Sequence, residues 1–188
     1  IRNDSILEII ENEAFSNSLI SYIFIPTQVK IISYRTFYDC KNLQHIQFSS
    51  DSKLTTIRSE AFLFSSIENI FIPSHVTTIC SSAFYQCNNL QNIEIPSNSE
   101  LENIEDWAFA YSAIENISIP SHMTKICAQV FYSCRNLKKI DFRYNSELNT
   151  ICECAFFNTS IKNISIPSSV TELKDGWCIG AKELDKVT

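Results

Sequence analysis

Two glycines in 188 residues leave no material for flexible linkers, collagen-like triplets or low-complexity tracts. Basic residues are in deficit, 15 against 21 acidic, for a net charge of −6. That argues against a nucleic-acid partner, which requires a basic face. The longest stretch free of Asp, Glu, Lys and Arg runs from Asn69 to Ile93, and it contains Pro73, His75, several serines and Asn88-Asn89. Such a segment is too polar to insert in a membrane. Also missing are a Gly-rich phosphate loop, a Gly-x-Ser-x-Gly elbow and a His-Glu-x-x-His pair, so an enzyme reading has no anchor. There is no initiator Met and no leader-like start; the chain opens on Ile1 inside a repeat, which reads as a piece of a longer protein.

What is present is repetition. Ile67-Glu68-Asn69-Ile70-Phe71-Ile72-Pro73 returns as Ile114-Glu115-Asn116-Ile117-Ser118-Ile119-Pro120 and as Ile161-Lys162-Asn163-Ile164-Ser165-Ile166-Pro167, with the same frame around Ile23. Pro26, Pro73, Pro120 and Pro167 therefore recur every 47 residues, a period that signals a repeat array. The period divides into 23 and 24. Apolar centres at Ile23, Ile46, Ile70, Ile93, Ile117, Ile140 and Ile164 alternate between these two spacings. The period-2 pattern around each predicts a strand with one buried face. All five prolines end such runs, where a missing N–H costs a ladder least.

A shorter apolar pair follows each run: Val29/Ile31, Leu54/Ile57, Val76/Ile79, Leu101/Ile104, Met123/Ile126, Leu148/Ile151 and Val170/Leu173. The Thr-rich spacers there favour a second extended segment. Then comes a small residue with Phe, as in Ala14-Phe15, Thr36-Phe37, Ala61-Phe62, Ala83-Phe84, Ala108-Phe109, Val130-Phe131 and Ala155-Phe156. One large aromatic per half-repeat suits a short helical turn plugging the interior. Three residues further on stand Ser18, Cys40, Ser65, Cys87, Ser112, Cys134 and Thr159, weak donors placed to cap backbone groups where the chain turns back. No half-repeat can bury its apolar face alone, so stacking supplies the stability.

The run from Ile72-Pro73-Ser74-His75-Val76-Thr77-Thr78-Ile79 through Ala83-Phe84-Tyr85-Gln86-Cys87-Asn88-Asn89-Leu90 resembles the BspA-type, or Treponema pallidum-type, leucine-rich repeat. The likeness extends from about Ile6 to Val170. The resemblance implies an α/β, β-dominated solenoid with a parallel sheet, built of alternating 23- and 24-residue repeats. Residues 1–188 would form one such body of about seven repeats, with 171–188 a degenerate last repeat or the start of a cap. Gly176-Trp177-Cys178-Ile179-Gly180 there takes the place of Ser-Ala-Phe-Tyr-Gln. The family's glycine after the second apolar pair is replaced by Glu11, Ser33, Arg58, Cys80, Glu105, Cys127 and Cys152, which implies a turn that does not need positive φ there. The resemblance further implies surface proteins of bacteria and parasitic protozoa that adhere to host or matrix, with no catalytic site.

Eight cysteines raise the questions of disulfides and metal. Cys40, Cys87 and Cys134 lie two layers apart in such an array, about 9–10 Å at strand spacing, beyond the reach of a bridge. Cys127 and Cys152 hold the same position in adjacent layers and are the one stacked pair within reach; buried free thiols are the main expectation. Cys152-Glu153-Cys154 has one intervening residue and no partner pair, so no metal site is expected. No cofactor is expected either. His45, His75 and His122 read as solvent-facing histidines without a catalytic partner. Four glycosylation sequons begin at Asn3, Asn116, Asn158 and Asn163, in a chain whose Asn and Ser content explains them by chance.

The residues flanking each central Ile point outward from the main sheet. They are Tyr22 and Phe24, His45 and Gln47, Asn69 and Phe71, Asn92 and Glu94, Asn116 and Ser118, Lys139 and Asp141, Asn163 and Ser165. The four asparagines in one column form either an amide ladder or a polar strip for ligand contact. Tyr22, Phe24 and Phe71 make a binding patch unless further repeats cover them. The expected function is extracellular adhesion through this face and its rim to a protein or glycan. The alternative is a structural spacer that presents another segment.

Overall fold

A computed structural model describes Arg2 and residues 4–188. The chain winds into a parallel β-solenoid of about eight coils, with no helix among the described residues. Each coil carries a main-face strand, of two to four residues, and a second strand of two residues. The main-face strands are β2 (Tyr22–Ile25), β4 (His45–Phe48), β6 (Asn69–Phe71), β8 (Asn92–Glu94), β10 (Asn116–Ile119), β12 (Lys139–Phe142), β14 (Asn163–Ile164) and β16 (Lys186–Val187). The short ones are β1 (Ile9–Ile10), β3 (Ile31–Ile32), β5 (Thr56–Ile57), β7 (Thr78–Ile79), β9 (Asn103–Ile104), β11 (Lys125–Ile126), β13 (Thr150–Ile151) and β15 (Glu172–Leu173). Pairing is parallel throughout, with Ile23 opposite Ile46, Ile70 opposite Ile93 and Ile117 opposite Ile140. The 23/24 spacing of the central isoleucines is thus the register of the main sheet. In the second sheet one residue shifts: Ile32, not Ile31, is fully buried and faces Ile57, while Ile31 pairs with Thr56. The three-residue spacing of Leu54/Ile57 and Val76/Ile79 holds for Val29/Ile32 as well.

Between the second strand and the next coil, the expected helical turn is instead a chain of β-turns. Two residues per coil have left-handed φ, standing two and six positions after the site of the family glycine: Arg35 and Asp39, Glu60 and Phe64, Ser82 and Gln86, Trp107 and Tyr111, Gln129 and Ser133. None of Glu11, Ser33, Arg58, Cys80, Glu105, Cys127 or Cys152 has positive φ, as the sequence indicated. L-residues pay on the order of 1 kcal/mol each for this conformation, and hydrogen bonding offsets it. The left-handed residues and the Phe between them donate their N–H groups to the next coil: Ser82 N to Asp106 O, Phe84 N to Ala108 O and Gln86 N to Ala110 O, at 2.8–3.1 Å. The intervening residues bond three positions back within the coil, as Ala83 N does to Cys80 O and Cys87 N to Phe84 O. The turn wall is therefore a third ladder along the axis, and it leaves few backbone donors unpaired.

Inside this wall the phenylalanines form one file. Phe15, Phe37, Phe62, Phe84, Phe109, Phe131 and Phe156 stack with ring centroids 5.0–5.9 Å apart and planes within 15°. From Phe37 to Phe156 every ring is fully buried, each worth about 2–3 kcal/mol of burial. The file ends where the last coil carries Trp177 edge-on against Phe156 at 6.1 Å. Phe156 N bonds Trp177 O and Asn158 N bonds Ile179 O, so Gly176 to Gly180 do occupy the Ser-Ala-Phe-Tyr-Gln positions. Both glycines of the chain fall on the two left-handed positions, with φ of 62° and 77°.

The Ser/Cys column behind the file lines the interior as expected. Cys40 Sγ donates to Phe15 O at 3.0 Å, Cys87 Sγ to Phe62 O at 3.0 Å and Cys134 Sγ to Phe109 O at 3.1 Å. Ser18, Ser65 and Ser112 sit 3.4–3.5 Å from these three sulfurs. All eight cysteines are free, Cys127 and Cys152 included.

Candidate functional site

Among the described residues no helix lies over the outer face of the main sheet. Of the residues assigned to that face, Tyr22, His45, Gln47, Asn69, Phe71, Asn92, Glu94, Asn116, Lys139, Asp141, Asn163 and Ser165 are exposed, while Phe24 and Ser118 are half-buried. The alternation is imposed by the strand itself: Ile23, Ile70, Ile117 and Ile140 turn into the core, and their flanking residues must point away.

Column by column the contacts are local. Tyr22 Oη donates to Gln47 Oε1 at 2.9 Å, Ser118 Oγ donates to Asp141 Oδ2 at 3.4 Å, and Ser165 Oγ lies 2.9 Å from Thr188 Oγ1. The amide ladder shrinks to one rung, Asn92 Nδ2 to Asn69 Oδ1 at 2.7 Å. Asn116 stands in backbone register with Asn92, but the column then passes to Lys139, and Asn163 stands in register with Lys186. Phe71 is 43 % exposed and Tyr22 52 % exposed.

The face is not a continuous wall. Where successive strands are 23 residues apart, ladders are full: β2 pairs β4 and β10 pairs β12 over four residues, β6 pairs β8 over three, and β14 pairs β16 over two. At the 24-residue steps only His45–Asn69 joins β4 to β6 and only Asn92–Asn116 joins β8 to β10. No ladder pair joins β12 to β14, and the main sheet ends there. The two coil types also differ in loop length. Nine positions separate the two strand centres in one coil type, Ile23 to Ile32, and eleven in the other, Ile46 to Ile57. Two clefts lie on the face. One of about 390 Å³ is lined by His45, Ile46, Asn69, Ile70, Phe71, Asn92 and Glu94. The other, of about 550 Å³, lies between β12 and β14 and is lined by Lys138, Lys139, Ile140, Asp141, Phe142, Lys162, Asn163 and Ser165.

The histidines are not all alike. His45 and His75 are exposed, and His75 Nδ1 lies 3.0 Å from Glu100 Oε1. His122 departs from the expected solvent-facing position: it is half-buried, with Nε2 shielded and without a partner. Among the described residues no group of three or more His, Cys, Asp or Glu could hold a metal ion, and no helix is long and apolar enough to cross a membrane. The sequon asparagines 116 and 163 lie on the sheet face. Asn158 has left-handed φ and donates to Ser133 Oγ at 3.3 Å, beside a buried Thr159, a poor acceptor geometry. Asn3 lies outside the described residues.

One feature of the opposite, turn-bearing wall was missed from sequence. Tyr38, Phe64, Tyr85, Trp107, Tyr111, Tyr132 and Phe157 run along it in ring contact, with centroids 4.4–6.3 Å apart. All are half-buried, and most of these contacts are edge-on or tilted. The signal was an aromatic one position after Phe37, Phe84, Phe131 and Phe156 and two after Phe62 and Phe109, with Trp107 two before Phe109. Because the rings use their surfaces on one another, the row acts as an outer spine.

A family model described as the BspA type leucine-rich repeat region matches in six copies across residues 2–80 and 55–181. Among solved structures, a leucine-rich repeat protein from Bacteroides ovatus is 25% identical with a TM-score of 0.75, over 95% of this chain and 52% of that one. The T. pallidum leucine-rich repeat protein is 20% identical with a TM-score of 0.73, over 95% of this chain and 72% of that one. The pneumococcal vaccine antigen PcpA shares the fold at 20% identity and a TM-score of 0.54, over 96% of this chain and 67% of that one. The chain spans about half the length of the B. ovatus protein. None of the curated proteins matches it. A match that runs through six repeats, on the geometry described above, places the chain in the BspA-type leucine-rich-repeat family.

Proposed function

We propose that this chain is an extracellular binding module that contacts a protein or glycan ligand through the main sheet face. The observation that carries the reading is the uncovered face itself, a regular array of exposed amides, charges and two exposed aromatics on a rigid core. An exposed Phe71 beside Asn69 and Asn92, at the mouth of a cleft, offers the apolar anchor with polar surround that interfaces use. Replacing Asn69, Phe71, Asn92 and Asn116 together with alanine is expected to abolish adhesion to host cells or matrix while the melting temperature holds. Adhesion at the wild-type level by that variant rejects the face. A spacer role draws support from the continuous Phe file, which makes the body stiff along its axis. The isolated chain discriminates the two, since a spacer alone would not bind cells.

A further inference from the structure

We propose that the cleft between β12 and β14 is a binding site for an acidic polysaccharide, held through its carboxylate or sulfate groups. The inference rests on the reading of the main sheet as the binding face and assigns a ligand class to one part of it.

Three observations converge on this place. The first is the gap. Along the main face this is the step at which no ladder pair bridges successive coils, and the cleft of about 550 Å³ is larger than the one of about 390 Å³ over β4, β6 and β8. The second is charge. Lys138, Lys139 and Lys162 line the cleft against a single Asp141, and Lys186 follows Asn163 in register on β16. Lys138 and Lys162 do have acidic neighbours, Glu115 at 3.8 Å and Glu183 at 3.7 Å. Both pairs are long and well exposed, so they hold the ammonium groups weakly and leave them able to turn toward a stronger anion.

The third is the distribution of charge along the axis. No Lys or Arg occurs between Ser59 and Thr124, while that stretch holds eight Asp and Glu. From Lys125 onward nine basic residues outnumber seven acidic ones. An anion approaching the solenoid is repelled by its middle and drawn to its C-terminal end, which is where the cleft lies.

The lining favours a sugar over a peptide. A peptide that adds as a strand pairs along a free sheet edge, whereas β12 and β14 are successive coils of one chain. Asn163 and Ser165 offer hydroxyl-matching hydrogen bonds, Phe142 an apolar surface for a sugar ring, and flexible lysines suit point anions of varied spacing.

The test measures binding of the full chain to immobilised heparin and polygalacturonate, with polyglutamate and neutral dextran as comparisons. Wild-type protein is expected to bind heparin or polygalacturonate, but not dextran, and to lose binding as salt rises. The K138Q/K139Q/K162Q variant is expected to bind about tenfold or more weakly. A K30Q/K53Q/K174Q variant, with as many lysines removed elsewhere, should stay within about twofold, since isolated surface charges contribute little. Absence of binding to both polysaccharides, equal loss in the two variants, or equally tight lysine-dependent binding of polyglutamate overturns the proposal. The cell-adhesion assay separates the two readings. Adhesion lost on removing Asn69, Phe71, Asn92 and Asn116, with no polysaccharide binding by wild type, sinks the cleft and leaves the sheet face. Lysine-dependent polysaccharide binding, with adhesion indifferent to those four residues, supports the cleft and rejects that patch.

Discussion

Left-handed turns occupied by Glu, Asp, Gln, Trp and Tyr show how far a repeat can depart from the residue its backbone prefers. Gln86, with φ of 52°, has a neighbour's carbonyl 2.9 Å from its N–H, and that bond holds the conformation at a local cost of about 1 kcal/mol. Gln86→Gly should therefore raise stability by about 0.5 kcal/mol, the strain relieved less the entropy added to the unfolded chain. Gly180→Ala, at φ of 77°, should lower it by about 1 kcal/mol. Urea midpoints at unchanged m-value check both. The sign of these effects could not be foreseen from composition, because glycine, the usual marker of such positions, is absent from every coil but the last.

Buried thiols give a second test at this scale. Burial pushes Cys87 up to about 12 and Cys134 likewise, against an ordinary value of 9.0, with the hydrogen bonds from Ser65 and Ser112 pulling the other way. A thiol held neutral in the fold but free to ionise when unfolded contributes stability that is intact below pH 9. That contribution is lost progressively as pH climbs toward about 12, because the unfolded state then binds fewer protons. Alkaline unfolding should flatten in C87S/C134S, in which the serines keep a donor toward Phe62 O and Phe109 O. Neither thiol should react with an aromatic disulfide reagent at pH 8 until the chain unfolds. Arg143 makes a comparable point for charge. It stands where Pro96 and Pro120 end earlier strands, and its guanidinium donates to Ile95 O at 2.6 Å and Pro96 O at 2.9 Å. Arg143→Ala should cost about 1–3 kcal/mol, seen as a lower urea midpoint.

Coil by coil, strands and fillers were legible and turns were not. Period-2 isoleucines gave the main sheet its register, and the Phe spacing gave the internal file, because burial forces those positions to be apolar in every coil. What the spacing did not convey is that 23 and 24 are unequal joints. The single extra residue is the net of two more in one loop and one fewer in the next, and the ladder is thinner at those joints of the main face. Hydrogen exchange should expose this: amides of β12 and β14 at their shared joint should exchange faster than those bridging β10 and β12. Equal protection would contradict the pairing. The file also predicts graded sensitivity. Phe84, stacked on both sides and fully buried, should cost about 3–5 kcal/mol as alanine. Half-buried Phe15, with one ring neighbour, should cost distinctly less, in a urea titration of the two variants.

For the molecule as a whole, the outward columns were readable as a face, yet their use was not, since an exposed strand position is set by alternation whether or not a ligand meets it. The acidic centre and lysine-bearing C-terminal end are likewise plain in the sequence, but their meaning depends on a cleft that only the pairing reveals. The unequal joints reach further still. Because Cys and Ser alternate behind the file and loop lengths alternate across it, a coil fits only beside its opposite kind. Unequal crossing-over between gene copies would thus preserve this body when it adds or deletes 47 residues, and would damage it when it shifts by 23 or 24. Lengths within a lineage should then differ in whole doublets, and an odd coil should mark the place where an array has lost its order.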